Sequence, residues 1–130
     1  MGISDYVTSL QHVGIPTVDI SETIRFYTSL GFEPALRTVN KAAGEEVCFL
    51  TLKNLCIETW QGGNPTGKPG AIDHIALDVT DIEKVFENVK AGGFLLLDTE
   101  IKFLPFWTNG VKFFTILGPN GEKIEFSQKL

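Results

Sequence analysis

With 130 residues, 43% apolar content, a mean hydropathy of +0.10 and a net charge of −5, the chain can fill one core but is short for two conventional domains. It has no apolar run of the roughly 18 to 20 residues needed to span a membrane and no signal-peptide order at its start. It also has no Lys and Arg cluster to hold a phosphate backbone or an anionic bilayer. The expectation is a soluble, cytoplasmic protein that acts on a small molecule, without nucleic-acid or membrane partners. Cys48 and Cys56 lie in apolar segments without Cys-x-x-Cys spacing and read as buried free thiols.

In chain order, Val7 to Ile15 reads as a strand with Leu10, His12 and Gly14 on one face and Val13 and Ile15 on the other. Asp19, followed three residues later by Glu22, resembles a capping box. It opens a helix with Ile20, Ile24, Tyr27 and Leu30 along one side and Gly31 as its stop. Strands are predicted over Glu33 to Val39, Glu45 to Leu52 and Leu55 to Gln61, with turns at Asn40 to Gly44 and at Lys53-Asn54. Gln61 to Gly70 is rich in Gly, Pro and Asn and reads as a linker. A second strand-helix unit follows: a strand over Ala71 to Val79, then a helix over Ile82 to Ala91 ended by Gly92-Gly93. Strands near Phe94 to Leu97, Val111 to Leu117 and Glu122 to Gln128 complete it, and Asp98 to Trp107 is read as a long, unusually aromatic loop. The loop either caps a pocket or packs on another chain.

The chain is therefore a duplication. A shift of 62 residues superposes His74 on His12, Asp81 on Asp19, Gly93 on Gly31 and Phe94 on Phe32, and the chain's two histidines take the same place in the repeat. Each module also ends in a similar strand, Ile57-Glu58-Thr59 and Ile124-Glu125-Phe126, which sets the two glutamates at equivalent positions. A carboxylate within an apolar strand needs a cation. Surface lysines such as Lys53, Lys112 or Lys123 are one answer. A divalent metal is the other: two imidazoles and two carboxylates make a nitrogen and oxygen site suited to Zn, Ni, Co, Mn or Fe(II). Trp60, on the strand face of Glu58, and Phe106-Trp107 are the expected substrate-binding pocket walls, with core or dimer packing as their alternative.

Several segments carry a family resemblance: Leu10-Gln11-His12-Val13-Gly14-Ile15, Arg25-Phe26-Tyr27 before Leu30-Gly31-Phe32, Asp73-His74-Ile75-Ala76-Leu77, and Gly118 to Glu125. Through them the chain resembles the vicinal oxygen chelate superfamily, to which glyoxalase I, the bleomycin-resistance proteins and extradiol dioxygenases belong. The resemblance implies an α+β fold of two βαβββ modules forming a cup-shaped mixed sheet. It covers one domain over residues 1–130, with module one at about 7–61, the linker at 62–70 and module two at about 71–130. It further implies one divalent metal held by His12, Glu58, His74 and Glu125, with Glu125 as catalytic base and Glu58 as its symmetric mate. The activity implied is a glyoxalase-like lyase or isomerase that moves a proton on a small substrate with two adjacent oxygens. Where glutathione-using members carry an arginine and an asparagine, this chain has Pro16 and Gly62, which argues against glutathione as the thiol. Alternatives in the same family are a methylmalonyl-CoA-type epimerase, an Fe(II) dioxygenase, a fosfomycin-type thiol transferase, for whose phosphonate no basic residues are identifiable, and a non-catalytic binder of the bleomycin-resistance type. The resemblance also implies a homodimer, with the quartet completed within one chain or between subunits.

Overall fold

The computed structural model describes residues 2–130, and the chain divides into two compact units, Met1–Pro65 and Thr66–Leu130. In the first unit a short 3-10 turn (Ile3–Asp5) precedes β1 (Val13–Thr17), α1 (Ile20–Ser29), β2 (Glu33–Asn40), β3 (Glu45–Leu52) and β4 (Leu55–Gln61). Its mixed sheet has the order β1-β4-β3-β2, with β1 parallel to β4 and the other pairs antiparallel. The second unit contains β5 (His74–Asp78), α2 (Ile82–Ala91), β6 (Leu95–Leu96), β7 (Lys102–Leu104), β8 (Val111–Leu117) and β9 (Lys123–Lys129). Its sheet runs β5-β9-β8-β6, with β7 also on β8 and β5 parallel to β9. The class is α+β, as expected.

Three boundaries differ from the sequence reading. The first strand starts at Val13 and not at Val7, leaving Val7 and Leu10 exposed. A strand extends only where it has a partner, and β4 offers β1 five residues, Ile57 to Gln61, because the rest of β4 pairs with β3 alone. For the same reason β5 is His74–Asp78 rather than Ala71 to Val79, matching Lys123 to Ser127 of β9. The stretch read as an aromatic loop includes β7, so the edge of the second sheet is one strand broken in two: β6 pairs with Ile116 and Leu117, and β7 with Val111 to Phe113. Lys102 Nζ meets Asp98 Oδ1 at 2.9 Å across that break.

Both helices use the apolar stripe to cover one face of their own sheet. In α1 the fully buried positions are Ile20, Thr23 and Tyr27, with Ile24 and Leu30 only half-buried. Thr23 is tolerated there because its hydroxyl donates to Thr17 Oγ1 at 2.9 Å, which also accepts from Asp19 N–H. In α2 Ile82 and Val89 are buried, and Phe86 meets Phe114 edge to face. Cys48 is buried and Cys56 half-buried; both are free, and burial pushes the Cys48 thiol above its ordinary pKa.

The helix starts carry the duplication into detail. The Asp19 carboxylate accepts from Glu22 N–H, and that of Asp81 from Lys84 N–H. A second pair was not foreseen: Gln61 Oε1 accepts from Ile20 N–H and Gln128 Oε1 from Ile82 N–H, each at 2.9 Å. Each glutamine lies three residues beyond its glutamate, Glu58 or Glu125, and fastens the helix to the strand that presents the acid. Gln128→Ala should therefore cost about 1 kcal/mol in urea unfolding, leaving the partly buried Ile82 N–H without its acceptor. An unchanged unfolding midpoint would refute this role.

Candidate metal and substrate site

On β4 the alternation places Ile57 and Thr59 in the core and leaves Cys56, Glu58 and Trp60 on the opposite face; on β9 it buries Ile124 and Phe126 and turns Lys123, Glu125 and Ser127 the other way. Parallel pairing then fixes what stands beside each glutamate. Gly14 is opposite Glu58 and Ala76 is opposite Glu125, the same register in both units. His12 precedes β1 and His74 opens β5, so each imidazole reaches its carboxylate from the entrance of the neighbouring strand. His12 Nε2 lies 3.4 Å from Glu58 Oε1, and His74 Nε2 lies 3.3 Å from Glu125 Oε2. The lysines go elsewhere: Lys112 to Glu83 and Lys123 to Asp73.

The other ring nitrogen is engaged in both units, and by the residue just before the histidine. His12 Nδ1 is 2.9 Å from Gln11 Oε1, and His74 Nδ1 is 3.0 Å from Asp73 Oδ2. Asp73 also receives Lys123 Nζ at 3.2 Å; the hydrogen bond from His74, then that from Lys123, holds its carboxyl below the ordinary aspartate pKa. An acceptor on Nδ1 favours the tautomer with its proton there, leaving the Nε2 lone pair facing the glutamate. Two lone pairs in apposition repel unless a proton or a metal ion lies between them. At 3.3 and 3.4 Å the pairs are longer than a direct charge-assisted hydrogen bond of about 2.7 to 2.9 Å. Nitrogen and oxygen ligands about 2.1 Å from one metal, at octahedral to tetrahedral angles, stand about 3.0 to 3.4 Å apart. Within each unit the His–Glu pair has the spacing of two ligands on one divalent cation. Among the described residues no group of three or more His, Cys, Asp or Glu side chains stands together to hold a metal ion.

Around these pairs the units differ. In the first, Trp60 lies over Gly14: a Cβ built there would sit 3.1 Å from the indole ring and 4.0 Å from Glu58 Oε1. His12 is further bounded by Phe49, edge to face at 5.7 Å. In the second unit the equivalent positions are Ala76 and Ser127, and small residues there leave room. A cavity of about 940 Å³ opens beside His74 and Glu125, at the upper end of the roughly 300 to 1,000 Å³ typical of small-molecule sites. Phe106 and Trp107 line it, together with Phe113 and Lys129. A smaller recess of about 220 Å³ shares His74 and Glu125 from the side of Asp73 and Lys123. Trp107 is 69% exposed and holds a left-handed backbone conformation at φ 65°, which costs a non-glycine residue about 1 to 3 kcal/mol. Its ring carries Lys129 Nζ at 3.8 Å from the centroid.

Gln11, Asp73 and Lys129 were missed in the sequence, although signals existed. A polar residue directly precedes each histidine, and Lys129 follows Glu125 by four, on the same strand face. The two departures from glutathione-using relatives also have local settings. Pro16 pairs with Trp60 in the β1–β4 ladder, and the Glu45 side chain occupies the space a Cβ at Gly62 would need.

Residues 9–126 match the family model of the Glyoxalase/Bleomycin resistance protein/Dioxygenase superfamily. The uncharacterized protein YwbC of Bacillus subtilis (strain 168) is 34% identical over 125 residues, spanning 92% of this chain and 97% of that one. Among solved structures, a glyoxalase family protein from Enterococcus faecalis superposes with a TM-score of 0.76 at 23% identity, covering 94% of this chain and 98% of its own. The fosfomycin resistance protein FosX from Listeria monocytogenes, complexed with Mn(II) and sulfate, does so with a TM-score of 0.70 at 16% identity, covering 95% and 94%. At those identities the structural matches speak to the fold; the sequence match and the family model, joined to the duplicated modules, show that this chain belongs to the glyoxalase, bleomycin-resistance and dioxygenase superfamily.

Proposed function

We propose that the chain is a metal-dependent, glyoxalase-like lyase or isomerase that moves a proton on a small substrate bearing two adjacent oxygens. His12, Glu58, His74 and Glu125 hold one divalent cation, completed within one chain or across a homodimer. The observation that carries this reading is the matched pair of imidazoles, each fixed at Nδ1 by the preceding residue and each presenting Nε2 to a strand glutamate at 3.3 to 3.4 Å.

The bound cation supplies Lewis acidity, which stabilises negative charge developing on a substrate oxygen. The chain's own residues do the rest. Asp73 and Gln11 keep the imidazoles in one orientation, so the ligand geometry is set before substrate arrives. Glu125 is the base: its side chain is 19% exposed and lines the cavity, where one oxygen can take a proton from a substrate carbon and return it to the neighbouring one. Glu58, flanked by Trp60 and Phe49, is the mate that stays a ligand. Phe106, Trp107 and Phe113 give the cavity apolar walls against which a substrate can rest.

Metal analysis tests the first half of the proposal. Purified protein should take up one Mn, Co, Ni or Zn ion per completed quartet, and His74→Ala should weaken uptake at least tenfold while the fold, followed by circular dichroism, is kept. Folded wild-type protein that never binds stoichiometric metal would exclude the reading.

A further inference from the structure

The floor of the second unit's cavity is ordered along the strands. Cross-strand pairing makes three rows: Ala76, Glu125 and Thr115 in the first, Asp78, Ser127 and Phe113 in the second, and Lys129 beside Val111 in the third. Glu125 and Lys129 share one face four residues apart, so their Cα atoms are about 13 Å apart. The cavity therefore has two chemically different ends: His74 and Glu125 at one, and Lys129 against the exposed Trp107 ring at the other. In the first unit the corresponding middle row is Pro16, Trp60 and Val47, with the indole packed over Gly14.

We infer that this cavity takes an elongated organic anion, its two adjacent oxygens held at the His74–Glu125 end and its terminal carboxylate or phosphate received by Lys129 beside Trp107. The assignment of the first end rests on the metal reading above; that of the second stands on the cavity alone. Among the described residues Lys129 forms no ion pair with an acid; its ammonium rests on the face of the Trp107 ring, and the acids of the lining, Asp78 and Glu125, are not in contact with it. An ammonium on an indole face gains from an anion on its open side. Asp78, in the middle row, opposes a second negative charge there and suits a hydroxyl or ammonium group, which puts the ligand's own negative charge at its far end. Phe113 and Trp107 offer flat surfaces to an aromatic or planar body between the two ends. The Trp107 backbone is left-handed, at φ 65°, where its ring meets Lys129 Nζ.

The test uses Mn(II)-loaded protein and three unreactive probes with adjacent oxygens: benzohydroxamate, its 4-carboxy derivative and its 4-phosphono derivative, titrated by calorimetry. The charged derivatives should bind at least tenfold tighter than benzohydroxamate, and the stronger of the two identifies the terminal group. Lys129→Met should abolish that preference while leaving benzohydroxamate itself unchanged, and Lys129→Arg should keep it. Lys129 is exposed at the end of β9, so neither variant threatens folding. A separate arm uses metal-free protein and terephthalate, observing the indole N–H resonance of Trp107, one of two tryptophans, assigned with Trp107→Phe. Its shift should appear in the wild type and vanish in Lys129→Met. If hydroxamates bind without regard to metal but that shift persists, the metal reading fails and the anion end stands. If the charged probes gain nothing, or Lys129→Met keeps both the preference and the shift, the inference is wrong.

Discussion

Glu125→Gln should lower kcat by about 10²- to 10⁴-fold in an assay of methylglyoxal with a panel of thiols, the range a positioned acid-base group contributes. Glutamine keeps the volume and one oxygen ligand but cannot carry the proton, so the loss should fall on kcat more than on metal content. The same change at Glu58 should weaken metal binding with a smaller loss of turnover in the metal-saturated enzyme, because it is Glu125 that lines the 940 Å³ cavity proposed to hold the substrate. Full activity in Glu125→Gln with inactivity in Glu58→Gln would exchange the two roles. Neither substitution should shift the unfolding midpoint much, since both side chains lie on the face turned away from the core.

Phe114→Ala should have the largest effect on stability, about 3 to 5 kcal/mol. Phe114 is 0% exposed, stacked on Phe126 at 5.0 Å and met edge to face by Phe86 of α2 at 4.9 Å. Its removal leaves a cavity where helix and sheet of the second unit meet, and the ring-ring geometry is lost with the apolar contact. Against a total stability of about 5 to 15 kcal/mol, that is a large fraction. Urea unfolding monitored by circular dichroism measures it, with Leu95→Ala, at a residue 67% exposed, as the control expected to change stability by less than about 0.5 kcal/mol. A loss below about 1 kcal/mol for Phe114→Ala would mean that the second unit's core is not organised around this ring.

The close approaches of glycine show how tightly some positions are constrained. Gly121, with φ 77°, turns β8 into β9 directly against the Gly67 carbonyl, so the turn that leads to Glu125 leaves no room for a side chain there. Gly14 does the comparable service for Trp60 in the first unit. In the sequence each glycine was visible only as a turn or strand residue; what it makes room for was not.

Local chemistry made much of this protein readable from the chain alone. Asp19 and Asp81 announce helix starts, Gly31 and Gly93 announce stops, and period-two alternation around Glu58 and Glu125 assigns faces, because each signal acts through neighbours a few residues away. The duplication added a long-range fact that no single segment holds: the histidines and glutamates occur as equivalents. Tertiary structure decided the rest. Strand length is set by available partners, which is why Val7 to Gln11 stay outside β1 and why β7 forms within a stretch that reads as loop. The hold of Asp73 and Gln11 on the imidazoles, and the contrast between Trp60 over Gly14 in the first unit and Ala76 and Ser127 at the equivalent positions of the second, depend on which strands lie side by side. Sequence spacing does not encode that contact until the parallel ladders β1–β4 and β5–β9 have closed.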